Sequence, residues 1–337
     1  MTARVLPRVF LALCLVVLGA GSAPGVGLTE DPLALVPADA ATVGVIHWSE
    51  LRSNPLAAPL FAQMDDVSVG GDGARFLRET GLTPREDIDT MVLAMTRVGS
   101  GASGASSDGL VIVEGRFDLV RIAGALTARG AVLRKGASAA YYRLPSENDR
   151  RDGAVALVNP HLVIAGSEAA VVAALGRRES GGADGLMAGG GLGKSLPRVN
   201  RDASAWALVD LTRFPATQHL ELHADVHVDE DGGPSRAIVG AMKSMSLLAL
   251  QATVHGDALD VSATGVTNDA ESRDLLEDSL RGLLAMWRLA IQEKSPDLVS
   301  VIRRFRVEND ADGVSISGTL PGSFLRSLAS NRQASKK

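Results

Sequence analysis

The chain is poor in the residues that usually announce a chemistry. Among 337 residues there is a single cysteine, Cys14, and aromatics make up only 4%. Cys14 lies inside the apolar run from Val9 to Leu18, so everything after it is free of thiols. Disulfides, thiol nucleophiles and thiolate metal sites are excluded there together. Basic charge is also short, with 34 Lys plus Arg against 39 Asp plus Glu and a net charge of -5. Nucleic acid is therefore excluded as a partner class, since its binders need a basic stripe, usually interleaved with aromatics for stacking. Tyr141 and Tyr142 are adjacent and Trp48, Trp206 and Trp287 are scattered, which leaves no stacking surface for sugars. No apolar run approaches the roughly 20 residues that a membrane-crossing helix requires.

What is present describes a globular protein of about two domains, with 46% hydrophobic and 22% charged residues. Arg4 and Arg8 precede the apolar run, and Ala20-Gly21-Ser22-Ala23 follows it. This is the pattern of a secretory signal peptide over residues 1–23, with cleavage near Ser22 or Ala23. The mature chain is then expected in the periplasm or outside the cell. A lipid-attachment reading of Cys14 fails, because Leu13 precedes it and Leu15 to Leu18 continue the run beyond it.

Beyond the signal the order of elements repeats. Strands are predicted from Thr42 to Trp48, Ile88 to Val98, Leu110 to Glu114, Tyr141 to Leu144, Ala154 to Val158 and Leu162 to Ala165. Helices are predicted from Phe117 to Arg129, where Leu119, Ile122, Ala123 and Leu126 share a face, and from Ser167 to Arg177. A Gly-rich linker at residues 181–196 follows, and then the pattern restarts. Val43 to Trp48 with Glu50 to Pro55 finds a counterpart in Ala205 to Val209 with Asp210 to Pro215. Met91 to Met95 is echoed by Met245 to Leu250, and Leu162 to Ser167 by Val314 to Thr319, each of the latter pair followed by a helix. Gly256-Asp257 sets a hairpin turn between two runs, and Asn268-Asp269 opens a long helix to about Gln292. The expected fold is α+β, two tandem repeats at 24–180 and 197–329, each a mainly antiparallel sheet with helices packed on one face. Residues 330–337 are expected to be a disordered tail.

Several motifs invite a chemical reading. Ala188-Gly189-Gly190-Gly191-Leu192-Gly193-Lys194-Ser195 fits a relaxed phosphate loop, but no apolar strand precedes it and Pro197 interrupts any following helix. A flexible linker is the better reading. His219, His223 and His227, interleaved with Glu221, Asp225 and Asp229, place three of the six histidines within nine residues. On a helix, His219 and His223 stand one turn apart and can share a metal ion. On a strand, successive His are about 13 Å apart and cannot. These three histidines are the candidate metal ligands; the bland reading is a solvated polar face. Asp229-Glu230-Asp231-Gly232 fails as a calcium loop, because Ile238 falls where its bidentate Glu belongs. HExxH and GxSxG are absent. His47, beside Trp48 in a strand, reads as a hydrogen-bonded structural histidine.

The signal segment, Leu35-Val36-Pro37-Ala38-Asp39-Ala40 before a strand, the Leu51 to Pro55 element and the twofold repetition together resemble a loose group of secreted bacterial proteins of unknown function. In that group an LxPADA-like segment opens a repeated α+β body. The resemblance implies the fold and the address; it carries no catalytic residue and no ligand. The expected function is that of an exported, periplasmic, non-catalytic binding or structural protein, with no cofactor and with an envelope protein or a peptide or apolar ligand as partner. A metal-dependent or other hydrolase using the His219–Asp229 cluster is the alternative. A cradle between the halves for an apolar or peptide ligand is a third reading.

Overall fold

The structure, a computed structural model, describes residues 31–57, 61, 71–96, 108–145, 153–213, 245–292, 296–311 and 313–326. The signal segment, the His219–Asp229 cluster and the tail at 330–337 lie outside the described residues.

The β-branched run after Asp39 forms β1 (Ala40–His47), in the interior of one twelve-stranded sheet. The other strands are β2 (Ile88–Thr96), β3 (Asp108–Gly115), β4 (Val132–Lys135), β5 (Ala140–Arg143), β6 (Gly153–Asn159), β7 (Leu162–Ser167), β8 (Ala205–Asp210), β9 (Met245–His255), β10 (Ala258–Thr267), β11 (Arg306–Asp310) and β12 (Gly313–Pro321). Their spatial order is β11-β12-β10-β9-β8-β1-β2-β3-β7-β6-β5-β4, and all neighbours are antiparallel. The helices are α1 (Trp48–Leu51), α2 (Gly71–Thr80), α3 (Pro84–Asp87), α4 (Leu119–Ala128), α5 (Glu168–Glu179), α6 (Ala270–Gln292) and α7 (Pro296–Ile302).

The α+β class with antiparallel strands agrees with the sequence, but the layering differs from two sheets each backed on one face. β1 and β8 pair directly, Val43 opposite Leu208 and Gly44 opposite Ala207, so the strands form a single sheet. That pairing satisfies two rows of ladder groups that would otherwise form open edges. Helices cover both faces, because alternate residues of a strand point to opposite sides. Leu110, Ile112 and Ile164 join a core cluster with Val171, Ala174 and Leu175 of α5. Val113 and Val163, one residue out of phase, pack with Ile122 and Leu126 of α4 on the other face. Outward from the central pair the order is β1-β2-β3-β7-β6 on one side and β8-β9-β10-β12-β11 on the other.

Capping fixes where α4 begins: the Asp118 carboxylate accepts from the amides of Val120 at 3.1 Å and Arg121 at 3.0 Å. Asp118→Ala is expected to cost about 1 kcal/mol, read as a lower urea midpoint with an unchanged slope.

The Gly-rich stretch is corrected from a flexible linker to a packed element. Leu186–Ala188 and Gly191–Arg198 are 3-10 turns that bury Leu186, Leu192 and Leu196 in the main core. The Leu186 amide donates to the Val36 carbonyl at 2.8 Å. Gly191 has φ +50°, and a Cβ there would lie 2.3 Å from the Ala38 carbonyl oxygen. Glycine is required at that position for close approach of two backbones, which composition alone does not distinguish from looseness.

Candidate functional site

The LxPADA-like segment becomes a strap across the face that α5 covers. Asp31 caps its first turn, accepting from the Leu33 amide at 3.0 Å, and Leu33, Leu35 and Val36 are buried. Between the strap, α5 and the ends of β2 and β3 lies a cavity of about 180 Å³. Ala94 and Thr96 face it from β2, Leu110 and Asp108 from β3, and Pro37 and Asp39 from the strap. Register explains the strand residues, since Ala94 sits opposite Leu110 and Thr96 opposite Asp108. α5 contributes Ala169, Ala170, Ala173 and Arg177, and the last three recur at helical spacing on one stripe. Its start is set by Ser167, whose hydroxyl accepts from the Ala170 amide at 3.2 Å. The alanines leave the space that larger side chains would fill.

Arg177 is the unusual member, a charged residue only 7% exposed. Its Nε donates to the Leu35 carbonyl at 2.8 Å. The side chain lines the cavity. Burial lowers its pKa from the usual arginine range, while the carboxylates of Asp184 and Asp39 act in the opposite direction. The strap is held beside it by Arg213, which donates from Nη1 to the Asp39 carbonyl at 2.5 Å and from Nε to Asp210 at 3.0 Å.

A second polar group lies across the opposite strand ends of the same face. His47, Thr90 and Glu114 are successive partners across β1, β2 and β3. Glu114 is 7% exposed. Burial pushes its carboxyl up to about 7; a hydrogen bond from Thr90 opposes this, and the nearby carboxylates of Asp31 and Asp89 add to it. Asp89 pairs with Arg52 at 2.6 Å and Arg116 at 3.5 Å, and Asp31 with Arg201 at 2.5 Å. His47 Nε2 lies 3.0 Å from the Arg201 carbonyl, which fits the structural histidine read from the sequence.

The three described histidines are each engaged by an acceptor: His47 as above, His161 Nδ1 with the Gly115 carbonyl at 3.0 Å, and His255 Nε2 with Asp260 at 3.5 Å. Among the described residues no group of three His, Cys, Asp or Glu is placed to hold a metal ion. The candidate ligands His219, His223 and His227 fall outside those residues. Lys194 of the phosphate-loop-like segment is exposed on a 3-10 turn interrupted by Pro197, without a strand leading into it. Among the described residues no helix is long and apolar enough to cross a membrane.

Arg177 and Glu114 were not singled out by sequence, though both carried a signal. Glu114 shares the parity of Leu110 and Ile112 in one strand, which places it on the buried face. Arg177 falls three residues after Ala174, on the packed side of a short Ala-rich helix.

No family model matches the chain, and no curated protein matches it. Three crystal forms of the bacterial protein TP0453 are similar in fold. Form III aligns at a TM-score of 0.47 and 10% identity, over 90% of this chain and 99% of that one. Form I gives 0.43 and 10% over the same shares, and form IV gives 0.42 and 11% over 89% and 97%.

Proposed function

We propose that this chain is an exported, periplasmic binding protein, built from two copies of one α+β unit and acting without catalysis. The observation that supports binding is the strap-covered cavity, whose wall joins alanines of α5 to the largely buried Arg177. A concave site with an apolar wall and a few convergent polar groups is the usual form of a small-ligand pocket. The matching strand orders on the two sides of the β1/β8 pair support the duplication, and the three sequence correspondences fall on β1 with β8, β2 with β9 and β7 with β12. The signal-like segment with Arg4, Arg8 and the Val9 to Leu18 run supports export.

The test is an in-cell crosslinking pull-down of the tagged full-length protein from the envelope fraction of its native host, with the intact mass of the bait read in the same sample. A bait trimmed near Ser22 or Ala23 with a reproducible envelope partner or co-purified small molecule is the expected result. An untrimmed bait in the cytosol, or a trimmed bait that carries nothing, overturns the proposal.

A further inference from the structure

We infer that the open edge of β4 pairs with an extended, acidic segment of another protein, which joins the sheet as an added strand. This surface lies apart from the cavity, and separate observations support it. β4 is the last strand of the sheet and pairs only with β5, from Val132 opposite Arg143 to Lys135 opposite Ala140. One of its two rows of amides and carbonyls therefore has no neighbouring strand among the described residues, the arrangement onto which an extended segment adds. All four residues are exposed, so neither face of the strand is covered. Val132 is 51% exposed and Leu133 59%, which leaves two aliphatic side chains in water at the edge. The side chains of Arg134 and Lys135 make no hydrogen bond or ion pair among the described residues. The carboxylate that meets β5, Glu168, is taken up by Tyr141 at 2.7 Å and Arg143 at 3.4 Å.

The order of the four residues selects the partner. Alternation sends Val132 and Arg134 to one face and Leu133 and Lys135 to the other, so each face offers one apolar side chain and one cation. An antiparallel neighbour matches both faces at once when two carboxylates in succession precede two β-branched residues. The acids then stand opposite Lys135 and Arg134, and the apolar pair opposite Leu133 and Val132. A second copy of this chain is the poorer occupant. β4 against β4 would gather four cations, and the other open edge, β11, sets exposed Arg306 beside Glu308 and follows exposed Arg303 and Arg304. Charge on an edge strand thus keeps like edges apart and leaves this one open to the opposite sign.

The probe is a blocked, fluorescently labelled peptide, Thr-Thr-Glu-Glu-Val-Val-Thr-Thr, titrated with the purified chain at low salt and followed by anisotropy. Saturable binding that weakens as salt rises is expected, and the same peptide with Lys for Glu is expected not to bind. Two further peptides carry N-methyl groups on alternate amides, one set each. The set that faces β4 is expected to abolish binding and the other to leave it. Arg134→Glu combined with Lys135→Glu is expected to weaken the Glu peptide tenfold or more and to take up the Lys peptide instead. That gain of binding requires a folded chain, so it separates a lost edge from a lost fold. No saturable binding of the Glu peptide, equal binding of the Glu and Lys peptides, or indifference to both N-methyl sets overturns the inference. So does a dimer in sedimentation that the double variant dissolves and the Glu peptide leaves intact, since a second copy then occupies the edge. Arg134 and Lys135 are not part of the cavity wall, so failure here leaves the binding function proposed above standing.

Discussion

Purified protein carrying Glu114→Gln is expected to outlast the native chain in urea at pH 8 and to show no advantage at pH 4. Burial raises the folded carboxyl from 4.5 to about 7. Between those values the folded state holds a proton that the unfolded chain releases, so folding stability falls as pH rises through the window. Below about pH 4.5 both states are protonated and nothing is lost. Above about pH 7 the loss saturates, and the difference in pKa converts to roughly 3 kcal/mol. Glutamine is neutral at every pH and keeps the shape of the protonated acid, so it removes the slope. The neighbouring groups remain, with Thr90 and His47 on the adjoining strands, Asp31 paired to Arg201, and Asp89 paired to Arg52 and Arg116. Urea titrations at pH 4, 6 and 8 decide the matter. Parallel pH dependences in the two proteins would sink the assignment of a buried, neutral Glu114.

Trp48→Ala is expected to be the more damaging change, costing about 3–5 kcal/mol, the range for removing a large buried aromatic. Trp48 begins α1 immediately after β1 and is 1% exposed. Its ring lies 5.7 Å from that of Phe61. The cluster it belongs to draws Ile88 and Met91 from one side of the β1/β8 pair and Ala252, Val254 and Leu259 from the other. The vacancy would therefore open where both halves of the sheet share a core. Its indole Nε1 is buried with no hydrogen-bond partner among the described residues. Trp48→Phe consequently removes an unsatisfied donor together with some volume, and is expected to cost less than about 1.5 kcal/mol. Chemical denaturation of the two variants at one pH separates the predictions. A Trp48→Phe loss equal to that of Trp48→Ala would show that the indole N–H is satisfied after all.

Local patterns read well from the sequence where the chain obeys one period. β1 and β2 declare themselves by β-branched and apolar runs, and Gly256, at φ +58°, sits in the hairpin between β9 and β10 as its turn dipeptide implies. Asp269 caps the long α6 as expected, accepting from the Ser272 amide at 2.7 Å. β4 escaped notice because all four of its residues are exposed, so no alternation marks it. β11 is polar, with partly buried residues only at alternate positions, and gave no apolar run to read. The site was least legible of all. Arg177 precedes Arg178 and Glu179 at a helix end, where a charged residue ordinarily faces water, and its acceptor on Leu35 is 142 positions away. Only the fold brings strap and helix together.

The pairing of β1 with β8 also sets a clock. Roughly 160 residues separate His47 from Ala205. A ribosome adding about 5–20 residues per second takes on the order of 8–30 s to cover that distance. During this time one flank of β1 has no native neighbour, and its unpaired amides and carbonyls can recruit any extended chain nearby. The second half of the molecule thus acts on the first as a late-arriving guard, so a nascent chain stopped before residue 205 would be expected to aggregate rather than rest as a folded half.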